Sequence, residues 1–173
     1  MLSDNELKEM GTNKILGIFG DCDFPHKAGA KTITVRKEVL ARTKDLLMSI
    51  KPKKVYITPH TGFEEIIIPL LLFLDIPYTI VNPYKGFYDN LKKESKVKLL
   101  MALENSRGVI TLSNKKAKFK EHLDLVHESE NFILDRSQIV LCVFGQKNNH
   151  RIESLNERLA LKNNVIFFNY GIF

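Results

Sequence analysis

Short apolar runs alternate along the chain with segments of helical periodicity, and this alternation constrains the fold more than any other feature. The runs span residues 14–19, 55–58, 76–81, 108–112, 139–144 and 165–169. The runs are apolar on both faces, which is typical of strands that are buried on both sides. The segments between the runs are long enough for crossover helices. The sequence therefore predicts an α/β, doubly wound three-layer sandwich with a mainly parallel sheet of about six strands.

Five segments between the runs have the apolar spacing of amphipathic helices. They cover residues 34–50, 62–74, 91–103, 119–134 and 152–161. The second contains Pro69 after three isoleucines, which disfavours a regular helix interior, so this helix is predicted to be kinked or to begin late.

The domain organisation follows from how completely these elements use the chain. Residues 1–13 are predicted to be an N-terminal tail and residues 14–173 a single Rossmann-like domain. No linker, repeat or low-complexity tract separates a second domain.

The charge of the chain bears on its partners. The net charge is +6, from 20 Lys and 6 Arg against 20 acidic residues. The basic residues are scattered among the acids, whereas phosphate attraction needs them clustered on one face. Nucleic-acid binding is therefore an alternative that the composition does not favour.

The cysteines and the apolar stretches bear on the cellular compartment. Cys22 and Cys142 are too few for a disulfide framework and form no C-x-x-C pair, and Cys142 is expected to be buried. The longest apolar stretch, residues 66–74, is about half the length of a membrane span, and the N-terminus does not resemble a secretory signal. We expect a cytoplasmic protein without membrane contact, and the apolar segment 70–74 makes a homodimer a further expectation.

The polar residues that follow the predicted strands are candidates for a ligand site, because the carboxyl ends of parallel strands gather at one edge of a sheet. The candidate ligand-binding residues are Gly20, Asp21, Thr58, His60, Thr61, Gly62, Asn82, Tyr84, Ser113, Gln146, Asn148 and Asn149. Arg136, just before the fifth strand, is expected to contact an anion or to cap the preceding helix. Glu64 and Glu65 are candidate catalytic carboxylates.

Several of these residues also have simpler interpretations. Gly20 and Asp21 suit a tight turn, and Thr61 suits a helix N-cap. In a first helical turn, Glu64 and Glu65 can simply interact favourably with the positive end of the helix dipole, without any further role. A metal site formed by Cys22, His26 and His60 matches no zinc spacing, so neither a metal nor another cofactor is predicted.

The order of these segments resembles the SLOG superfamily, and within it the YpsA-like branch. This Rossmann-like group includes DNA-processing protein A-like and Lonely Guy (lysine-decarboxylase-like) proteins. The segments that carry the resemblance are KILGIFGD (14–21), VYITPHTGFEE (55–65), LDIPYTIVNPY (74–84), HESENFILDRSQIVLCVFGQKNN (127–149) and LALKNNVIFFN (159–169). The last two segments are the most specific.

The resemblance implies a pocket for a nucleotide or nucleoside-derived ligand, formed by the loops around residues 60–64 and 146–150. This chain departs from the family in both loops. Only Gly62 is retained where members have a glycine pair or triplet, and residues 146–150 read Gln-Lys-Asn-Asn-His where members often have Gly-Gly-Thr. The P-G-G-x-G-T-x-x-E motif of the Lonely Guy phosphoribohydrolases is absent, so that activity is not predicted.

Three functions remain as hypotheses. The first is binding of a nucleotide or nucleoside derivative, as a sensor or sequestering protein. The second is N-glycosidic hydrolysis or deoxyribosyl transfer on nucleosides or nucleotides, with Glu64 or Glu65 as the carboxylate. The third is an accessory role in DNA binding or DNA processing, motivated by the positive charge and the DNA-processing relatives.

Overall fold

The computed structural model describes residues 12–21, 24, 30–89, 91–118, 120–145, 150–162 and 164–169. Within them, strands alternate with helices along the chain. The strands are β1 (Ile15–Gly20), β2 (Lys54–Ile57), β3 (Tyr78–Tyr84), β4 (Gly108–Ser113), β5 (Ile139–Phe144) and β6 (Val165–Asn169). The helices are α1 (Ala30–Ile50), α2 (Phe63–Phe73), α3 (Lys93–Glu104), α4 (His122–Arg136) and α5 (His150–Leu159).

The six strands form one sheet in the order β4-β3-β2-β1-β5-β6, and every neighbouring pair is parallel. Gly17, for example, is level with Tyr56 on β2 and with Val140 on β5. The predicted α/β fold with a parallel sheet is confirmed.

Helices cover both faces of the sheet. Helices α1, α2 and α3 pack on one face around Leu47, Ile67 and Leu99, whereas α4 and α5 pack on the other around Ile133 and Leu155. The central strands are buried on both faces, and all six residues of β5 are buried. This two-sided burial is the physical reason that the strand sequences are apolar throughout.

Helix α2 was predicted to be kinked or to begin late, and it does not begin late. It spans Phe63 to Phe73, with Pro69 inside it. Pro69 is exposed, whereas the isoleucines at 66, 67 and 68 are buried in the core. Burial of these side chains outweighs the low helix propensity of β-branched residues and proline.

Strand β3 also differs, because it extends through Pro83 to Tyr84 rather than ending at Val81. The strand therefore carries Asn82 and Tyr84 inside the sheet. Cys142 is completely buried, as predicted. In the described part of the chain, no helix has both the length and the apolar character that crossing a membrane requires.

Candidate functional site

The order of the strands reverses between β1 and β5. The chain moves from β1 outward to β4 and then returns to place β5 on the other side of β1. In sheets of this kind, a crevice opens beyond the carboxyl ends of the two strands at which the direction changes. We call the space beyond Gly20 and Asp21 on β1 and Phe144 and Gly145 on β5 the switch-point crevice.

The side chain of Arg151, in the first turn of α5, lies at this crevice. Its Nη1 donates hydrogen bonds of 2.7 Å to the carbonyl oxygen of Gly20 and of 2.7 Å to Oε1 of Glu64. Its Nη2 donates to Oγ1 of Thr58 over 3.2 Å, and its Nε donates to Oε1 of Glu130 over 2.8 Å. These five residues, which we call the arginine cluster, connect β1, the end of β2, α2, α4 and α5.

Glu64 is the buried carboxylate of the arginine cluster, with a side chain that is 0% exposed. Its Oε1 also accepts hydrogen bonds from the Gly20 amide and from the Thr58 hydroxyl, each over 3.3 Å. Burial raises the pKa of the Glu64 carboxyl above its ordinary value, and the charge of Arg151 opposes that shift. The second oxygen, Oε2, is buried and has no hydrogen-bond partner within the described part of the chain.

Glu130 completes the cluster on the α4 side. It is fully buried, and its Oε2 accepts a hydrogen bond of 3.0 Å from Nη2 of Arg158. Two arginines on α5 thus bind one carboxylate on α4. Buried charges of this kind are tolerated only when they are paired and hydrogen-bonded.

The start of α2 explains why Gly20 and Gly62 stand where they do. Gly62 has φ 91°, in the left-handed region that favours glycine. A Cβ on Gly20 would lie 2.4 Å from Cβ of Phe63, so β1 approaches α2 too closely for any other residue. The glycine at position 20 is therefore explained by packing.

The first amide of α2 is bonded within the protein itself. The Phe63 amide donates to the carbonyl oxygen of Asp21 over 3.0 Å. A phosphate bound at a helix start needs such amides free. The Phe63 amide is therefore not free to bind a phosphate.

Asp21 connects the two strands at the switch point. Its amide donates to the carbonyl oxygen of Val143 over 3.0 Å, and its Oδ2 accepts from the Gly145 amide over 3.4 Å. These bonds hold the carboxyl ends of β1 and β5 together.

His60 lies in the loop between β2 and α2, beside Phe87. The centroids of the two rings are 5.3 Å apart in an edge-to-face arrangement. Burial lowers the pKa of His60 well below its ordinary value, and the charges of Arg151 and His122 lower it further. The imidazole is therefore neutral near pH 7. Its Nε2 is buried, and none of the residues that the structure describes forms a hydrogen bond with it.

Asn82 and Tyr84 occupy the carboxyl end of β3. Nδ2 of Asn82 donates to the carbonyl oxygen of Tyr84 over 3.0 Å, whereas Oδ1 of Asn82 is buried without a partner. The Tyr84 hydroxyl lies 2.8 Å from Nδ1 of His122, and the His122 ring stacks parallel to Phe87. The end of β3 therefore carries one unsatisfied acceptor beside a group of aromatic rings.

The structure places three other candidates away from the switch-point crevice. Ser113 ends the outermost strand, where its Oγ accepts from the Lys115 amide over 3.3 Å in a local turn. Glu65 forms an ion pair of 2.6 Å with Lys98 on α3. Arg136 lies in the last turn of α4, at the opposite edge of the sheet, where its guanidinium stacks 3.7 Å from the centroid of the Phe132 ring.

Thr61 does not cap α2 through its side chain, because the residue that caps α2 is Gly62, with no side-chain bond. The candidates Gln146, Asn148 and Asn149 lie outside the described residues, as do Cys22 and His26. Among the residues that are described, no group of three or more His, Cys, Asp or Glu side chains is placed to hold a metal ion.

Sequence reasoning missed Arg151, Glu130 and Arg158. One signal for Arg151 is present in the sequence, because it stands in the first turn of a helix, where a cation opposes the helix dipole. Such a position suggests that a specific carboxylate compensates the charge. Comparison with known proteins adds no relative: no protein-family model matches the sequence, and no curated protein matches it significantly.

Proposed function

We propose that the protein binds a nucleotide or nucleoside-derived ligand at the carboxyl edge of the sheet, as a sensor or a sequestering protein. The observation that carries this proposal is the position of the unsatisfied oxygens. Three buried side-chain polar atoms of the described residues lack a hydrogen-bond partner, and all three follow β2 or end β3 at this edge. Two of them are oxygens, Oε2 of Glu64 and Oδ1 of Asn82.

These oxygens suit the hydroxyl groups of a sugar. An unpaired buried polar group costs about 1–3 kcal/mol, so a concentration of them favours a partner that supplies hydrogen bonds. The pairing of Ile57 with Ile80 puts Thr58 level with Val81, one residue before Asn82. Thr58 in turn contacts Glu64 over 3.3 Å. The two oxygens therefore belong to segments that end neighbouring strands at the same edge of the sheet.

Two further features support a nucleotide over a bare sugar. Phe87 and His122 are partly exposed and offer ring surface beside Tyr84 for a base. Helix α5 begins at His150, directly beyond the switch point, and the positive end of its dipole favours an anion. A phosphate would lie at this helix start. This arrangement agrees with the resemblance to the SLOG superfamily.

Isothermal titration calorimetry tests the proposal with AMP, ADP, ADP-ribose, NAD and the common nucleosides. At least one of these ligands is expected to bind the wild-type protein. The Asn82→Ala variant is expected to weaken that binding about tenfold or more. Asn156→Ala is the matched control, because Asn156 is exposed on α5. Absence of binding across the panel, or equal affinity for wild type and Asn82→Ala, would contradict the proposal.

One observation favours the enzymatic alternative, N-glycosidic hydrolysis or deoxyribosyl transfer. The raised pKa of Glu64 suits a general acid, and its Oε2 has no hydrogen-bond partner among the described residues. Burial of the side chain and its bond to Arg151 count against attack by this carboxylate on a sugar carbon. Chromatography of nucleosides incubated with wild type and with Glu64→Gln distinguishes the two functions. Release of free base by the wild type would show an enzyme. Loss of that release in Glu64→Gln would show that Glu64 takes part in the reaction.

A further inference from the structure

A second cavity lies between α2 and α3, outside the arginine cluster. Its volume is about 200 Å³. Its walls are mainly apolar, and the side chains that make them so include Ile68, Leu72, Leu91, Leu99, Met101 and Ala102. Among the described residues that line this cavity, none belongs to the arginine cluster. The α2–α3 cavity is therefore separate from the switch-point crevice.

The charged residues in the wall of the α2–α3 cavity neutralise each other. Oε1 of Glu65 and Nζ of Lys98 form an ion pair of 2.6 Å, in which the Glu65 side chain is 9% exposed and the Lys98 side chain 58%. An entering ion would have to compete with this short contact and would lose water against the mainly apolar wall, which is costly. The cavity therefore disfavours charged ligands.

His60 supplies a polar group that is unsatisfied. It lines the cavity, and its Nε2 is buried without a hydrogen-bond partner. A neutral imidazole nitrogen either donates or accepts one hydrogen bond, according to its tautomer. A ligand with one hydroxyl group can satisfy either form.

The size of the cavity limits the ligand further. A dry apolar cavity of about 150 Å³ holds one benzene ring in another protein, so about 200 Å³ admits one substituted ring or two fused rings. We propose that the α2–α3 cavity binds a compact, uncharged aromatic molecule of one or two rings, with a single hydrogen-bonding group directed at Nε2 of His60. This site does not depend on nucleotide binding at the switch-point crevice.

NMR spectroscopy with 2-naphthol tests the proposal on the full chain carrying ¹³C-methyl methionine. Met101 and Met48 are 59% and 53% exposed, and of the two only Met101 lines the cavity. A saturable shift of the Met101 methyl signal, with the Met48 signal unmoved, is expected. An unmoved Met101 signal at saturating 2-naphthol, or equal shifts of both signals, would overturn the proposal.

Variants of the cavity wall test the location of the ligand. Ala102→Leu fills the cavity and is expected to weaken 2-naphthol binding about tenfold or more. Ala41→Leu makes the same change on the exposed side of α1 and is expected to leave binding unchanged. If Ala102→Leu does not fold, Ser95→Phe narrows the same cavity from α3. Wild-type affinity in the folded filled variant would overturn the proposal.

Ligand analogues test the two chemical requirements. Naphthalene-2-sulfonate has the same rings with a negative charge and is expected to bind more weakly than 2-naphthol. His60→Phe is expected to weaken 2-naphthol binding roughly three- to tenfold through loss of one hydrogen bond. The same variant should leave naphthalene binding unchanged, because naphthalene makes no hydrogen bond. Tighter binding of naphthalene-2-sulfonate than of 2-naphthol would contradict the proposed preference for an uncharged ligand. An equal loss of affinity for naphthalene and 2-naphthol in His60→Phe would contradict the proposed hydrogen bond.

Discussion

Nη1 of Arg151 lies 2.7 Å from Oε1 of Glu64, although 87 residues separate them in the chain. The contact joins the first turn of α5 to the first turn of α2 at the point where the order of the strands reverses. Because Arg151 also binds the carbonyl oxygen of Gly20, the pair fixes the carboxyl end of β1 against both helices. The geometry of the proposed ligand site thus depends on a charge pair that is nearly closed to solvent.

Removal of the arginine should strongly destabilise the protein. Arg151→Met leaves Glu64 without its cation and Glu130 with only one, and breaking a buried pair in this way costs about 3–5 kcal/mol. Urea denaturation followed by circular dichroism measures the free energy of unfolding. Arg107→Met is the matched control, because Arg107 is exposed before β4, and it should change that free energy by less than about 0.5 kcal/mol.

A double variant separates the pair from other effects of Arg151. Removing Glu64 as well, in Arg151→Met with Glu64→Gln, should cost less than the sum of the two single losses, with a coupling of about 0.5–3 kcal/mol. Strict additivity of the two losses would show that the ion pair does not contribute to stability.

The sequence predicted the features that depend on local residue patterns and missed those that depend on contacts between residues far apart in the chain. The bounds of β5 and β6 were predicted to the residue, because uninterrupted apolar runs with β-branched residues are a local signal. Residues 58–62 were also predicted correctly to follow β2, whereas Asn82 and Tyr84, predicted to follow the third strand, lie inside β3. Arg151 was missed, because its partner lies in another helix and nothing in the local pattern identifies that carboxylate.

Gly20 is a second example of a residue whose role depends on a contact with a distant part of the chain. The sequence favoured a tight turn or a ligand contact at this glycine, both of which are local interpretations. The structure adds a non-local reason for the glycine: Phe63, 43 residues later, packs against the space where a side chain would be, as a Cβ would lie 2.4 Å from Cβ of Phe63. A close approach between two elements cannot be read from the residues around either one.

Substitution of Gly20 tests that explanation. Gly20→Ala should reduce the free energy of unfolding by about 1–3 kcal/mol or more, because β1 and α2 must separate to admit the methyl group. Gly108→Ala is the matched control, since a Cβ there meets no atom within 4 Å. Thermal and urea denaturation of both variants provide the measurement. Equal stability of the two variants would mean that β1 and α2 are not in close contact at Gly20.

The stability of the protein should fall in mild acid because of His60. Its folded pKa is well below the ordinary 6.5, so from pH 6.5 downward the unfolded chain takes up a proton that the folded protein excludes. The free energy of unfolding then decreases as the pH falls, by at most about 1.4 kcal/mol per pH unit for this one proton. Denaturation of wild type and His60→Gln between pH 7.5 and pH 5 measures the difference.

His127→Gln provides the control for loss of a histidine elsewhere, on α4. It should keep the acid-side decrease of the wild type, whereas His60→Gln should show a flatter profile. Parallel profiles for wild type and His60→Gln would show that His60 is protonated as readily in the folded protein as in the unfolded chain.

Burial of Cys142 should protect its thiol at alkaline pH. Burial raises the pKa of Cys142 to about 12 from its ordinary 9.0, so the reactive thiolate is scarce in the folded protein. In a Cys22→Ser background, iodoacetamide at pH 8.5 should modify Cys142 only after urea unfolding, as mass spectrometry would show.

Above pH 9 the unfolded chain releases the thiol proton of Cys142 while the folded protein retains it, so the free energy of unfolding should decrease as the pH rises. Cys142→Ala should lack that component, and equal alkylation rates in native and unfolded protein would show that the thiol is accessible.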